Sequence, residues 1–283
     1  MTRVLVTGAT GFLGRHVVAA LQARGCTVTT LGRDSGDLQA DLADAAAAER
    51  VLAPWGWDAC VNLAAPVTGG TEDLATGMRA AVVHTRIALH VSRHARGRVI
   101  HASSMTVYGL PRSVPVREDH AREPMHLYGL GKLLAEEVLL EDPAPFAIVL
   151  RFGGLFSEER RGGALFHFCR AARDGAPLRV TTATPTPWEL LHVADAAEGI
   201  ARAATLPDVP RGALNLGYGE PVELVAMAHR IAELGGRGSL VEAIPGVTHP
   251  PFQLDIERAR RHLSWNPPPL ATRLAALYQA FAS

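Results

Sequence analysis

The stretch Val4-Leu5-Val6-Thr7-Gly8-Ala9-Thr10-Gly11-Phe12-Leu13-Gly14 sets an apolar run, three glycines spaced Gly-x-x-Gly-x-x-Gly and the opening of a helical pattern in direct succession. Glycines at such a joint let a pyrophosphate approach the backbone closely. The helix behind them supplies unpaired N–H donors and the positive end of its dipole. Gly8, Gly11, Phe12, Leu13 and Gly14 are therefore the expected phosphate contacts.

Working outward, short apolar runs alternate with helical spacing. Strands are predicted at Val4–Val6, Thr27–Leu31, Ala59–Leu63, Val99–Ala102 and Phe146–Leu150, and helices at Gly14–Arg24, Leu42–Val51, Met78–Ala95 and Tyr128–Leu140. Apolar strands separated by helices read as parallel strands buried on both faces, hence an α/β, Rossmann-like, doubly wound parallel sheet over residues 1–152. Ligands of such sheets sit at the carboxyl ends of the strands. Beyond residue 152 the rhythm breaks at Gly153-Gly154, Arg160-Arg161-Gly162-Gly163, Pro185 and Pro187, so residues 153–283 read mainly as a smaller C-terminal lobe. A helix at His192–Ala204 and a strand at Ala213–Leu216 return to the main sheet, and further helices are expected at Val222–Leu234 and near Leu270–Phe281.

Bulk properties exclude several classes. Lys+Arg and Asp+Glu both number 28 in 283 residues, so no net field recommends nucleic acid or an anionic membrane as partner. No run of about 18 apolar residues occurs, nor a signal peptide at the N-terminus, and a soluble, cytoplasmic protein is expected. The cysteines, Cys26, Cys60 and Cys169, are scattered, which fits a reducing compartment. The 12 histidines show no metal-ligand spacing, and no metal is expected.

The residue after the second strand chooses the dinucleotide: an acid bonds the ribose 2′-hydroxyl of NAD, an arginine receives the 2′-phosphate of NADP. Here the position holds Gly32, followed by Arg33 and then Asp34. A guanidinium without a carboxylate ahead of it favours phosphate, so NADP is the preferred cofactor. Asp34 facing the ribose would make it NAD.

Further motifs occur in order: Ala40-Asp41-Leu42, Asn62-Leu63-Ala64-Ala65, Ser103-Ser104-Met105-Thr106-Val107-Tyr108-Gly109, Tyr128-x-x-x-Lys132, Leu150-Arg151-Phe152, Asn215-Leu216-Gly217-Tyr218-Gly219 and Leu263-Ser264-Trp265-Asn266-Pro267. With the glycine loop, these residues make the chain resemble an extended short-chain dehydrogenase/reductase of the nucleotide-sugar epimerase/dehydratase type. The resemblance implies that Asp41 and Leu42 flank the adenine, that Leu63, Ala64, Ala65 and Phe152 line the dinucleotide, that Lys132 bonds the nicotinamide ribose, and that the C-terminal lobe binds substrate.

Ser104, Tyr128 and Lys132 are the expected catalytic centre. A spacing of four puts Tyr128 and Lys132 one turn apart on one helix face. An adjacent ammonium should lower the phenol's pKa from about 10, letting Tyr128 exchange a proton with the substrate oxygen while hydride moves at the same carbon. Ser104, at a strand end, is placed to donate a hydrogen bond to that oxygen. Tyr108 is expected to pack near the cofactor, and Asp195, near His192, to suit the start of a helix.

The sequence also departs from the family pattern. Dehydratases carry Asp-Glu after the active-site hydroxyl residue, where Met105 and Thr106 stand, so dehydration is not expected. The Asn-Val-x-Gly-Thr pattern reads Ala81-Val82-Val83-His84-Thr85. Gly154 stands where an Asn holds the substrate diphosphate, and no Arg lies between Arg237 and Arg258; Arg160, Arg161, Arg170, Arg173 and Arg179 are the lobe's cationic alternatives. The preferred reading is thus an NADP(H)-dependent ketoreductase acting on a secondary alcohol or ketone, such as a keto-deoxysugar nucleotide or a secondary metabolite. A nucleotide-sugar 4-epimerase with tightly bound NAD is the alternative, and a non-catalytic dinucleotide sensor the third. A homodimer is the default assembly.

Overall fold

Seven parallel strands form the central sheet, in the order β11-β6-β5-β4-β1-β2-β3. The computed structural model describes residues 1–66, 73–143, 145–181, 187–220, 222–236, 241–244 and 251–282; Pro185 and Arg237 lie outside them. The first half runs β1 (Arg3–Thr7), α1 (Phe12–Ala23), β2 (Thr27–Gly32), β3 (Leu38–Gln39), α2 (Ala45–Leu52), β4 (Ala59–Asn62), α3 (Leu74–His94), β5 (Arg98–Ala102), α4 (Leu127–Glu141) and β6 (Phe146–Phe152). Then follow β7 (Gly154–Phe156), α5 (Ala164–Asp174), β8 (Leu178–Thr181), β9 (Pro187–Trp188), β10 (Leu190–His192), α6 (Val193–Thr205), β11 (Gly212–Leu216), β12 (Val222–Glu223), α7 (Leu224–Leu234), β13 (Val241–Ile244), α8 (Glu257–Leu263) and α9 (Leu270–Ala282).

The inner strands β1, β4, β5 and β6 are buried on both faces because their alternate residues serve opposite layers. Val4, Val6, Val61, Ile100 and Ile148 join the larger core cluster with Val17 and Leu21 of α1 and Ile200 of α6. Leu5, Cys60, Val99 and Ala147 face the other way, onto Leu52 of α2, Ile87 and Val91 of α3 and Leu139 of α4. The expected strands and helices of this half are present, shifted by a few residues at their ends.

The larger cluster continues without a break into the C-terminal segments, through Leu165 and Phe168 of α5, Ile231 of α7 and Leu277 and Phe281 of α9. β11 pairs with β6, as the returning segment was expected to do, while β7–β10, β9–β12 and β8–β13 make small two-stranded sheets. The short elements α5 and α8 and these two-to-four-residue strands were not predicted; glycine- and arginine-rich flanks hide them.

The strand order reverses between β1 and β4, which places a crevice at their carboxyl ends. Helices α3 and α4 pack unusually closely along one side of it. A Cβ at Gly131 would lie 2.9 Å from the Ala81 Cα, and one at Gly77 would lie 2.5 Å from a Leu127 methyl. No described helix is long and apolar enough to cross a membrane.

Candidate active site

At the head of the crevice, Gly8 turns the chain out of β1 with φ +66°, a conformation that side-chain-bearing residues rarely adopt. A Cβ on Gly14 would lie 2.2 Å from the Gly8 carbonyl oxygen, so the loop closes onto the first turn of α1 only because that residue is glycine. Gly11 caps α1 without a side-chain hydrogen bond, which leaves the N–H groups of the first turn, from Phe12 onward, for an anion. This cradle fits a dinucleotide pyrophosphate. Leu63 and Ala64, just past β4, close it: a Cβ on Gly8 would be 2.9 Å from the Ala64 amide nitrogen.

At the end of β2 the chain turns so tightly that a Cβ on Gly32 would lie 2.3 Å from the Ser35 carbonyl oxygen. No acidic residue fits there in this backbone. Arg33 and Asp34 are exposed and paired to each other at 3.3 Å. Asp41 is exposed, accepting from the Ala43 N–H at 2.9 Å, whereas Leu42 and Phe152 are buried in the two core clusters. Leu63, Ala64 and Ala65 are partly exposed.

Ser104, Tyr128 and Lys132 come together at the ends of β5 and the start of α4. Ser104 caps a short 3-10 turn, Met105–Tyr108. Its oxygen accepts from both the backbone N–H and the hydroxyl of Thr106, at 3.2 and 3.0 Å. The backbone N–H takes one lone pair and leaves Ser104 its O–H proton as a donor. Thr106 does no acid–base chemistry but sits against the serine hydroxyl, which the sequence alone did not show. Gly129 permits the contact between this turn and α4, since a Cβ there would be 2.7 Å from the Thr106 carbonyl.

Tyr128 is half-buried, and the Lys132 ammonium lies 5.8 Å from its ring centre. Lys132 is buried and donates to the Ala102 carbonyl at 2.7 Å. Here an expectation is corrected. Burial raises the Tyr128 phenol above its ordinary value rather than an ammonium lowering it, because Lys132 is turned toward the serine strand. The same burial brings Lys132 itself down to about 8, with Glu136 opposing.

Tyr108 is wholly buried, donating to Asn215 at 2.7 Å and accepting from Arg151 at 2.9 Å. Burial pushes its phenol up to about 12. Arg151 and Glu136, both buried, form an ion pair at 2.6 Å, and Ser103 donates its hydroxyl to Glu136. This network clamps β5, α4 and β6 behind the site, an arrangement legible only once the three elements are adjacent. Asp195, in the first turn of α6, is held by Tyr218 at 2.9 Å and by Arg273 at 3.0 Å, the structural part expected of it. Arg160, Arg173 and Arg179 are engaged by the Leu155 carbonyl, Asp174 and Glu242 respectively. Arg161 and Arg170 stack over Phe281 and Phe166. Among the described residues no group of His, Cys, Asp or Glu could hold a metal.

A glycine-cradled crevice at a strand-order reversal, with a serine, a tyrosine and a lysine beside it, defines a dinucleotide-dependent hydride-transfer enzyme. The chain belongs to the NAD dependent epimerase/dehydratase family, whose model matches residues 4–217. It is similar to the UDP-glucose 4-epimerase of Azospirillum brasilense, with 26% identity over 94% of this chain and 87% of that protein. Among solved structures, the UDP-N-acetylglucosamine 4-epimerase from Bacillus cereus superposes with a TM-score of 0.83 at 23% identity, covering 99% of this chain and 96% of that one. MoeE5 in complex with UDP-glucose and NAD superposes with a TM-score of 0.80 at 25% identity, covering 98% of each chain.

Proposed function

We propose that the protein is a nucleotide-sugar epimerase of the 4-epimerase type that keeps its dinucleotide bound through the cycle. The likeness to a UDP-glucose 4-epimerase over 94% of this chain carries this reading, because it takes in the C-terminal lobe as well as the dinucleotide half. It displaces net ketone reduction as the first choice. The bound dinucleotide supplies the hydride acceptor and donor. Tyr128 takes the proton from the sugar hydroxyl as the C–H bond is oxidised, and returns it after the keto sugar has turned its other face to the site. Ser104, oriented by the Thr106 N–H, donates to the substrate oxygen, and Lys132 supplies positive charge beside the phenol. The residues of 153–283 outside the main sheet form the substrate lobe in this proposal, with the diphosphate held by contacts other than an asparagine at Gly154.

The cofactor that co-purifies tests this. Protein isolated without added dinucleotide should carry NAD+ in near-stoichiometric amount, identified by absorbance and mass. One observation favours a second reading: the tight turn at Gly32 excludes the NAD-selecting acid, and the exposed Arg33, held only by its neighbour Asp34 at 3.3 Å, can turn to a 2′-phosphate. An NADP(H)-using ketoreductase would show free exchange of NADPH, and Arg33→Ala would weaken NADPH far more than NADH. Binding without turnover of any ketone or sugar would support a sensor.

A homodimer is also proposed. Leu74, Met78 and Val82, at four-residue spacing on α3, are 73%, 46% and 51% exposed, with Leu134 of α4 at 39%. An apolar helical stripe of this kind is the signature of a covered face. Light scattering should give twice the 30.1 kDa chain mass, and Val82→Glu should return the monomer; a wild-type monomer contradicts the proposal.

A further inference from the structure

Behind Lys132 lies a group of buried side chains to which the hydride-transfer reading assigns no part. Donor counting fixes their hydrogen-bond directions. The Thr7 hydroxyl oxygen accepts the N–H groups of Leu63 and Ala64 at 3.2 and 3.1 Å, so its proton goes to the Asn62 Oδ1 at 2.9 Å. Asn62 therefore presents its NH2 to the His101 Nδ1 at 3.2 Å. With Nδ1 an acceptor, the ring proton of neutral His101 sits on Nε2.

That Nε2 is buried without a partner, and so is the Nε2 of His84. Each of these histidines is 2% exposed. His84, on α3, packs edge-on against Tyr128 with ring centres 5.8 Å apart. It also reaches α4, where a Cβ on Gly131 would be 3.0 Å from its ring. Burial first, and the Lys132 charge second, hold both imidazoles neutral, His84 down to about 3 and His101 well below its ordinary range. Lys132 has three donors, one of which goes to Ala102.

An orphaned buried donor or acceptor is costly, so two that both feel the buried Lys132 charge call for a partner. A water molecule supplies what each lacks: accepting from the His101 Nε2–H and from Lys132, it has only its own protons left to offer the His84 Nε2, which requires that ring to carry its proton on Nδ1.

We propose that His84 and His101 hold an ordered internal water against Lys132, and are thereby positioning residues that keep its ammonium in place beside Tyr128. His84 stands where the family pattern has glycine and Ala81 where it has asparagine, so the arrangement belongs to this chain's own departures. The titratable and charged groups around Lys132 are Tyr128 and Glu136 from α4, His84 from α3 and His101 from β5.

This inference rests on Tyr128 and Lys132 being the reacting pair. The first readout is the pH profile of turnover in the dinucleotide-loaded enzyme. The high-pH limb, where Lys132 loses its proton, should move down by about one unit in His84→Leu and return toward wild type in His84→Gln, whose amide can again receive the water's hydrogen bond. A lower rate with an unmoved limb overturns the proposal. The second readout needs neither a variant nor activity: nitrogen-15 NMR of the loaded wild-type protein should show His101 protonated at Nε2, with a cross-peak to a long-lived water, and His84 bare at Nε2. A His101 proton on Nδ1, or no water at either ring, overturns it equally. An enzyme inert toward UDP-sugars and ketones removes the catalytic reading, and the NMR result then decides the water site by itself.

Discussion

Tyr128→Phe is expected to lower turnover by about three decades while dinucleotide affinity changes little. The substitution deletes one oxygen and leaves the ring against His84 in place. What it removes is the group that exchanges a proton with the substrate oxygen, and positioned acid–base groups of this kind contribute ~10²–10⁴-fold. Burial holds the free enzyme's phenol above its ordinary value, so a phenolate must be stabilised by positive charge in the loaded site, from Lys132 and an oxidised nicotinamide ring. Steady-state rates with wild-type and variant protein at matched dinucleotide saturation check this. Retained turnover would remove Tyr128 from the mechanism.

Lys132→Met should separate function from stability, lowering turnover by ~10²–10⁴-fold while making the fold firmer at neutral pH. Lys132 is 5% exposed, and replacing a buried charge by an apolar side chain of similar length commonly stabilises by roughly 1–3 kcal/mol. The sign of the pH dependence follows from its pKa of about 8, against 10.5 for the free side chain. Below about 8 both folded and unfolded chains hold the proton, so the cost of burying the ammonium is fully present. Between about 8 and 10.5 the unfolded chain binds more protons than the folded one, and wild-type stability rises with pH. The melting-temperature advantage of the methionine variant is therefore largest below pH 8 and shrinks above it. A variant less stable than wild type at every pH would mean that the hydrogen bond to Ala102 outweighs the desolvation.

The sheet and the catalytic trio were legible in the sequence because both depend on local order. Strands of four to seven residues repeat between helices, and Tyr128 and Lys132 share a helix face at any tertiary arrangement. The direction in which Lys132 points was not legible. Spacing places the side chain on a face, but the Ala102 carbonyl that captures its ammonium comes from a different element, β5. Nor could a histidine in mid-helix be told from a surface one. His84 is buried because Gly131 lets α3 and α4 close together, a contact between residues more than forty positions apart in the chain. The Ser103–Glu136–Arg151 network escaped for the same reason, its members coming from the residue after β5, from α4 and from β6. The partners of Tyr108 were hidden likewise, since Arg151 comes from β6 and Asn215 from β11.

Whether one enzyme both withdraws and returns the hydride is decided most directly by proton NMR of UDP-glucose or UDP-galactose incubated with purified protein and no added dinucleotide. The proposed epimerase converts each sugar to its C4 epimer until the two stand at equilibrium. Full loading with NAD+ but no epimer from either sugar, with ketone reduction at the expense of NADPH instead, would contradict it.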